Sequence, residues 1–238
     1  MRLIIIGIDA LDIKMMEKLD LNSLKQLQYG ELKVPLSSVS GYPRSPSVWF
    51  SFLTGMEREI DFRRNKDGIN MFREIMEKTF MDWDGVKGIN VPYHSHEIDT
   101  LTKLVRLRNK LRWPGTIRRM VLIHNSRTEE IFKEVINIDE NHKVIFAFIQ
   151  TLDTLQHALF SRKKVIQKAY EHMESCFTYV KEKLSEEMII IVSDHGFYEG
   201  THSYTGFYSC NHVLSPIPTD ITDFHRIVKD FLKGEKTT

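Results

Sequence analysis

The sequence predicts an α/β fold: a largely parallel central sheet flanked by helices on both faces. Three observations carry this. Residues 3–8, 144–149 and 188–192 are unbroken apolar runs, the pattern of strands buried on both sides. Each run leads into a turn or helix start bearing an aspartate: Asp9, Asp153 and Asp194. A long amphipathic stretch at 163–184, rich in i,i+4 charge pairs, is suited to cover one face of such a sheet. In open α/β sheets ligands sit beyond the carboxyl ends of the strands. The three aspartates are therefore expected on one side of the molecule.

The bulk properties narrow the class. At 238 residues the chain can form one large domain with a substantial core. With 42% hydrophobic and 27% charged residues it reads as an ordinary globular protein rather than a disordered or fibrous one. A net charge of +1 gives no general attraction to nucleic acid or membrane, so neither is an expected partner. Cys176 and Cys210 form no CxxC pair, which argues against a disulfide framework or a zinc knuckle and fits a reducing cytoplasm. The apolar start is too short for a signal peptide, and no run approaches a transmembrane length, so the expected location is cytoplasmic. Neither G-x-G-x-x-G nor a P-loop occurs, which excludes the two commonest phosphate-cradling loops.

Along the chain, Asp9 reads either as the cap of a helix starting near Leu11 or as a ligand at a strand end. Residues 12–28 have helical spacing interrupted near 20–22, and 30–36 alternate like a strand. A small-residue loop at 37–47 opens into a short buried helix at 48–55 that Gly55 ends at its C′ position. Ser45 is the expected N-cap and Pro46 the first helical residue. A serine there is either an ordinary cap or a nucleophile stabilised by the helix dipole and, if present, a metal. Arg44, beside it, can contact an anion or lie in an exposed loop. Residues 56–69 read as irregular, 71–78 as a helix and 86–92 as a short strand. His94 and His96 follow, a His-x-His pair with no acid or third donor placed to converge on it. Residues 100–137 read as helical, broken by Pro114-Gly115, so that a mainly helical insertion spans about 56–142. Within it, 103–119 carries seven Lys and Arg residues and no acid. That segment is either a solvated face or a cap that attracts an anion, where Trp113 can contact a base.

Asp153 and His157 stand at i and i+4, which puts an oxygen and a nitrogen donor one turn apart on a helix face. Asp194 and His195 are adjacent before Gly196. A glycine-punctuated loop at 197–206 holds His202, a strand is expected at 207–210, and a last helix at 222–232 has Thr222 as N-cap. Core packing has no use for carboxylates at three strand ends. Mixed Asp and His donors favour zinc or manganese over magnesium or calcium.

Taken in order, the elements are Gly7-Ile8-Asp9-Ala10, the stretch from Ser45-Pro46-Ser47 to Gly55, Asn90-Val91-Pro92, Asp153 with His157, Ser193-Asp194-His195-Gly196, and His202 before Gly206. This ordered set resembles the alkaline phosphatase superfamily, and within it the type I phosphodiesterase/nucleotide pyrophosphatase group. The resemblance implies two divalent metal ions. Asp9, Ser45, Asp194 and His195 would hold one, and Asp153, His157 and His202 the other. It also implies hydrolysis of a phosphodiester or nucleotide pyrophosphate, a small-molecule substrate, through a phosphoseryl intermediate on Ser45. Ser47 is the alternative register for that nucleophile. Ala10 stands where the group carries Gly, and Glu59-Ile60-Asp61 replaces its His-Gly-Ile-like element. No Cys-x-Pro-x-Arg occurs, which argues against a sulfatase. Two other readings are a phosphomonoesterase or phosphomutase of the same superfamily, and a non-catalytic scaffold that binds a nucleotide or protein.

Overall fold

The three aliphatic runs are adjacent strands of one sheet. The computed structural model describes residues 1–60, 63–64, 70–71, 77–95, 98–111, 115–198 and 200–235. In chain order the elements are β1 (Leu3–Ile8), α1 (Ile13–Lys18), α2 (Asn22–Lys25), β2 (Gln28–Lys33), α3 (Ser45–Thr54), β3 (Arg63–Arg64), β4 (Asn70–Met71), β5 (Val86–Ile89) and α4 (Ile98–Arg108). There follow α5 (Thr116–Asn137), β6 (Val144–Ile149), α6 (Thr151–Leu159), α7 (Lys163–Lys183), β7 (Met188–Ser193), β8 (Phe197–Tyr198), β9 (Thr201–His202), β10 (Thr205–Cys210) and α8 (Asp223–Lys233).

The main sheet has the order β2-β10-β7-β1-β6-β5. β1 lies parallel between β6 and β7, and β5 is parallel to β6. Only β10 runs against its neighbours, β7 and β2. Every residue of β1, β6 and β7 is buried, which is why these strands lack a polar alternation. Alternate side chains of β1 serve different layers. Ile4, Ile6 and Ile8 join a core capped by α5, α6 and α7, whereas Leu3 and Ile5 join one capped by α3 and α8.

Gly7 sets the depth of α3. A Cβ there would stand 2.8 Å from the Trp49 ring and 2.9 Å from Phe146, so only glycine lets this helix sit so close to β1. At its far end α3 stops at Gly55, whose φ of 70° is the left-handed cap conformation expected from the sequence.

Several boundaries differ from the sequence reading. The helix holding Ser45 begins one residue earlier: Arg44 is its N-cap, Ser45 its first residue and Pro46 its second. The reason is that the Arg44 carbonyl already accepts from the Ser47 and Val48 amides. The strand expected at 30–36 covers 28–33, because its ladder with β10 runs from Gln28 to Lys33. Met71, expected in a helix, lies in β4, and 72–76 fall outside the described residues. Thr222 does precede α8, but its hydroxyl donates to Asp220 and not to the helix. Within the stretch 56–142, β5 completes one edge of the main sheet and α5 lies in the helical layer against α7. Trp113, Pro114, His96 and Asp61 lie outside the described residues. No described helix is long and apolar enough to cross a membrane.

Candidate metal centre and its serine

The parallel register aligns the carboxyl ends of β1, β6 and β7, and the Asp9 amide donates to the Ile149 carbonyl at 2.9 Å. Asp9 therefore leaves β1 beside the start of α6, where Asp153 occupies the first turn. Asp194 and His195 leave β7 on the other side. All four side chains point into one buried cluster.

The turn after β1 is held by hydrogen bonds rather than by glycine. Ala10 has a φ of 63°, a left-handed conformation that costs an L residue free energy. Its amide donates to Asp194 Oδ1 at 3.2 Å, and its carbonyl accepts from Gln156 Nε2 at 2.7 Å. Ser193 Oγ accepts from the Leu11 amide at 2.9 Å and donates to the His195 carbonyl at 2.8 Å, tying the two turns together. Gly196 is required by contact: a Cβ there would lie 2.3 Å from Asp12 Oδ2.

Ser45 faces this cluster from the start of α3. Its Oγ donates to Asp9 Oδ1 at 3.2 Å and lies 3.1 Å from His195 Nε2. Ser47 points elsewhere, and its Oγ accepts the Ile60 amide at 2.9 Å. Tyr93 braces the same helix by donating to the Pro46 carbonyl, and Asn90 Nδ2 donates to the Phe148 carbonyl at 2.8 Å. Arg44 is half-buried at the helix cap, and its charge helps hold the Glu59 carboxyl low, behind the larger effect of hydrogen bonds from Ser38 and Ser37.

Two triplets of ligand atoms emerge, each with all members within 4.8 Å of one another: Asp153, His157 and His202, and Asp9, Asp153 and His195. His157 Nε2 stands 3.3 Å from Asp153 Oδ1 and 2.9 Å from His202 Nε2. His195 Nε2 stands 3.2 Å from Asp194 Oδ2 and 3.6 Å from Asp9 Oδ1. The His195 and His202 rings stack with centroids 3.9 Å apart. The structure thus brings together all seven residues that the sequence singles out for metal binding, with Asp153 common to both triplets. His94 is elsewhere: its Nε2 meets Thr79 Oγ1 at 2.9 Å, and burial lowers its basicity.

The electrostatics call for positive charge. Burial first, then the neighbouring Asp194 and Asp153, push the Asp9 carboxyl well above the ordinary carboxylate range. Burial also opposes ionisation of Asp153, but its contact with His157, with help from His195 and His202, outweighs that and holds it low. His202 is held below an ordinary imidazole by burial and then by the His195 charge. Asp9 Oδ2, Asp153 Oδ1 and Asp194 Oδ2 are buried atoms outside the hydrogen-bond network of the described residues; His157 Nε2 and His195 Nε2 meet the last two only at ion-pair distance. Orphaned buried carboxylate oxygens are costly unless something else satisfies them. Three such oxygens among converging imidazole nitrogens fit divalent cations with mixed N/O ligands.

A cavity of about 360 Å³ opens beside His202 and Gly196, walled by Lys14, Glu31 and a stacked Tyr42–Tyr204 pair with centroids 5.0 Å apart. Sequence patterning did not single out these two tyrosines, because they lie in loops far apart in the chain.

No family model and no curated protein matches the sequence. Solved structures do. The alkaline phosphatase from the Antarctic bacterium TAB5 superposes with a TM-score of 0.62 at 10% identity, covering 98% of this chain and 97% of that one. This chain has an alkaline-phosphatase-like fold. The PH0037 protein from Pyrococcus horikoshii superposes at a TM-score of 0.61 and 12% identity, over 100% of this chain and 98% of that one. BT1596, a 2-O GAG sulfatase, is similar at 0.51 and 8% identity, over 100% of this chain and 75% of that one.

Proposed function

We propose that this protein hydrolyses phosphate esters, most fittingly diesters or nucleotide pyrophosphates, with Ser45 as nucleophile. The observation that carries the proposal is the position of Ser45 Oγ, within 3.2 Å of Asp9 and 3.1 Å of His195 at the edge of the Asp/His cluster. The neighbouring folds support the same reading, since two of them belong to an alkaline phosphatase and a 2-O GAG sulfatase. Asp153, His157 and His202 would hold one divalent ion, zinc or manganese. Asp9, Asp194 and His195, with Ser45, would hold another. When bound, the two ions supply a lowered hydroxyl pKa and neutralisation of charge on the transferring group.

The chain's own groups then do the following. Asp9 Oδ1 and His195 Nε2 fix Ser45 Oγ and leave its lone pair free to attack phosphorus in line. The N-terminus of α3 presents its positive dipole end to the phosphoryl oxygens. The Ser45 proton passes to Asp9 Oδ1 as the Ser45–phosphorus bond forms and leaves with the departing ester oxygen as the alcohol; water later cleaves the phosphoseryl bond, and one of its protons restores the Ser45 hydroxyl. The cavity beside Tyr42 and Tyr204, which reaches His202 of the cluster, would receive the ester substituent. Lys14 on its wall offers a positive charge to an anionic substrate.

Paired variants test the assignment on bis-p-nitrophenyl phosphate with added zinc or manganese. Ser45→Ala should lose roughly 1,000-fold or more in kcat. Ser47→Ala should keep most of the activity. Loss confined to Ser47→Ala, or full activity in Ser45→Ala, refutes the proposal.

A further inference from the structure

A second kind of ligand cluster lies away from the strand ends, where α5 packs on α7. Glu129 comes from α5. His172 and Cys176 sit one turn apart on α7, so they project from the same face. His172 Nε2 is 3.4 Å from Glu129 Oε1 and 3.4 Å from Cys176 Sγ. The oxygen, nitrogen and sulfur all lie within 4.8 Å of one another, and none of these residues belongs to the Asp/His cluster. Lys133 Nζ stands 3.7 Å from the other oxygen of Glu129, Oε2, which leaves Oε1 to the histidine.

The spacing is that of a coordination polyhedron. With zinc bonds of about 2.0–2.3 Å, the ligand atoms of a tetrahedral site stand about 3.3–3.8 Å apart. The two separations from His172 match that edge, and Glu129 and Cys176 stand within 4.8 Å of each other. The donor set is selective too: a thiolate disfavours magnesium and calcium, and an S/N/O set suits zinc. Solvent reaches the cluster, since the Glu129 and His172 side chains are 44% and 25% exposed.

We propose that Glu129, His172 and Cys176 form a third metal site, of zinc type, that ties α5 to α7 and keeps a fourth position for water. The site is independent of the ester-hydrolase reading. It would act as a staple across the helical layer that covers one face of the sheet.

Cobalt(II), added to the metal-free 238-residue chain under reducing conditions, is the probe. Thiolate-to-cobalt charge transfer absorbs in the near ultraviolet, and the strand-end cluster contains no cysteine. The wild type should develop this band to one equivalent, and zinc should bleach it. Cys176→Ser should abolish it, while Cys210→Ser and Asp153→Ala should retain it. Glu129→Gln and His172→Gln, with circular dichroism checked for folding, should weaken cobalt binding at this site roughly tenfold or more. No band in the wild type, a band that survives Cys176→Ser, or one lost in Cys210→Ser overturns the proposal.

Discussion

The carboxyl edge of the sheet and the Glu129–His172–Cys176 cluster of the helical layer behind it treat their ionisable groups in opposite ways. At the edge, the buried Asp9 and Asp194 crowd against the half-buried Asp153, with histidine nitrogens at ion-pair distance and one oxygen of each outside the hydrogen-bond network of the described residues. In the helical layer, Glu129 and His172 reach solvent and pair with each other. Crowding three carboxylates out of solvent is expensive, so it persists where something outside the chain completes them. Exposed ligands can exist without an ion at little cost. The edge should therefore depend on metal for both stability and function, whereas the layer should tolerate its absence.

The largest expected effect falls on the residue common to both triplets. Asp153→Ala should lower kcat by roughly 1,000-fold and remove bound metal at the edge, measured as metal equivalents after dialysis. Glu129→Ala should leave kcat within about twofold, because it touches neither Ser45 nor the edge ligands. Equal losses in the two variants would break the comparison.

The next effect concerns His124, buried on α5 with its Nδ1 2.7 Å from Thr151 Oγ1. Burial, and then the His172 charge, lower its pKa from 6.5 to about 3. The unfolded chain takes up this proton first as pH falls. Stability is therefore complete above about pH 6.5 and lost progressively between there and about pH 3, by on the order of 5 kcal/mol. His124→Asn should flatten the pH dependence of denaturant unfolding in that window. An unchanged slope would mean that the edge carboxylates, not the layer, control acid sensitivity.

Smaller effects sharpen the account of how the edge is positioned. Gly7→Ala forces Trp49 and Phe146 apart and should cost about 1–3 kcal/mol in chemical denaturation while displacing Ser45. Ala10→Gly relieves the left-handed turn and should stabilise by less than about 1 kcal/mol with activity retained. Destabilisation by Ala10→Gly would show that the turn is not under strain.

Much of the edge was legible because its signals are local. Unbroken aliphatic runs announce buried strands, and Asp153 with His157 needs only helical spacing to share a face. Parallel pairing then brings Asp9, Asp153 and Asp194 together. β5 was harder to place, since four residues containing a lysine and a glycine do not reveal that they pair with β6. The helix start at Ser45 shifted by one residue because a serine before a proline has the same composition whether it caps or begins the helix. Ala10 in a left-handed turn breaks a backbone preference that only its tertiary hydrogen bonds explain. Glu129 and the His172–Cys176 pair were invisible because 43 residues separate them and only the register of α5 on α7 brings them into contact.

The central claim is that the edge cluster makes Ser45 a nucleophile. Acid-quenching the metal-loaded protein during turnover of bis-p-nitrophenyl phosphate, followed by peptide mass spectrometry, tests it most directly. The account predicts a phosphoryl adduct on Ser45 that is absent from Ser45→Ala and present in Ser47→Ala. Turnover with the adduct on Ser47, or undiminished turnover by Ser45→Ala, would contradict it.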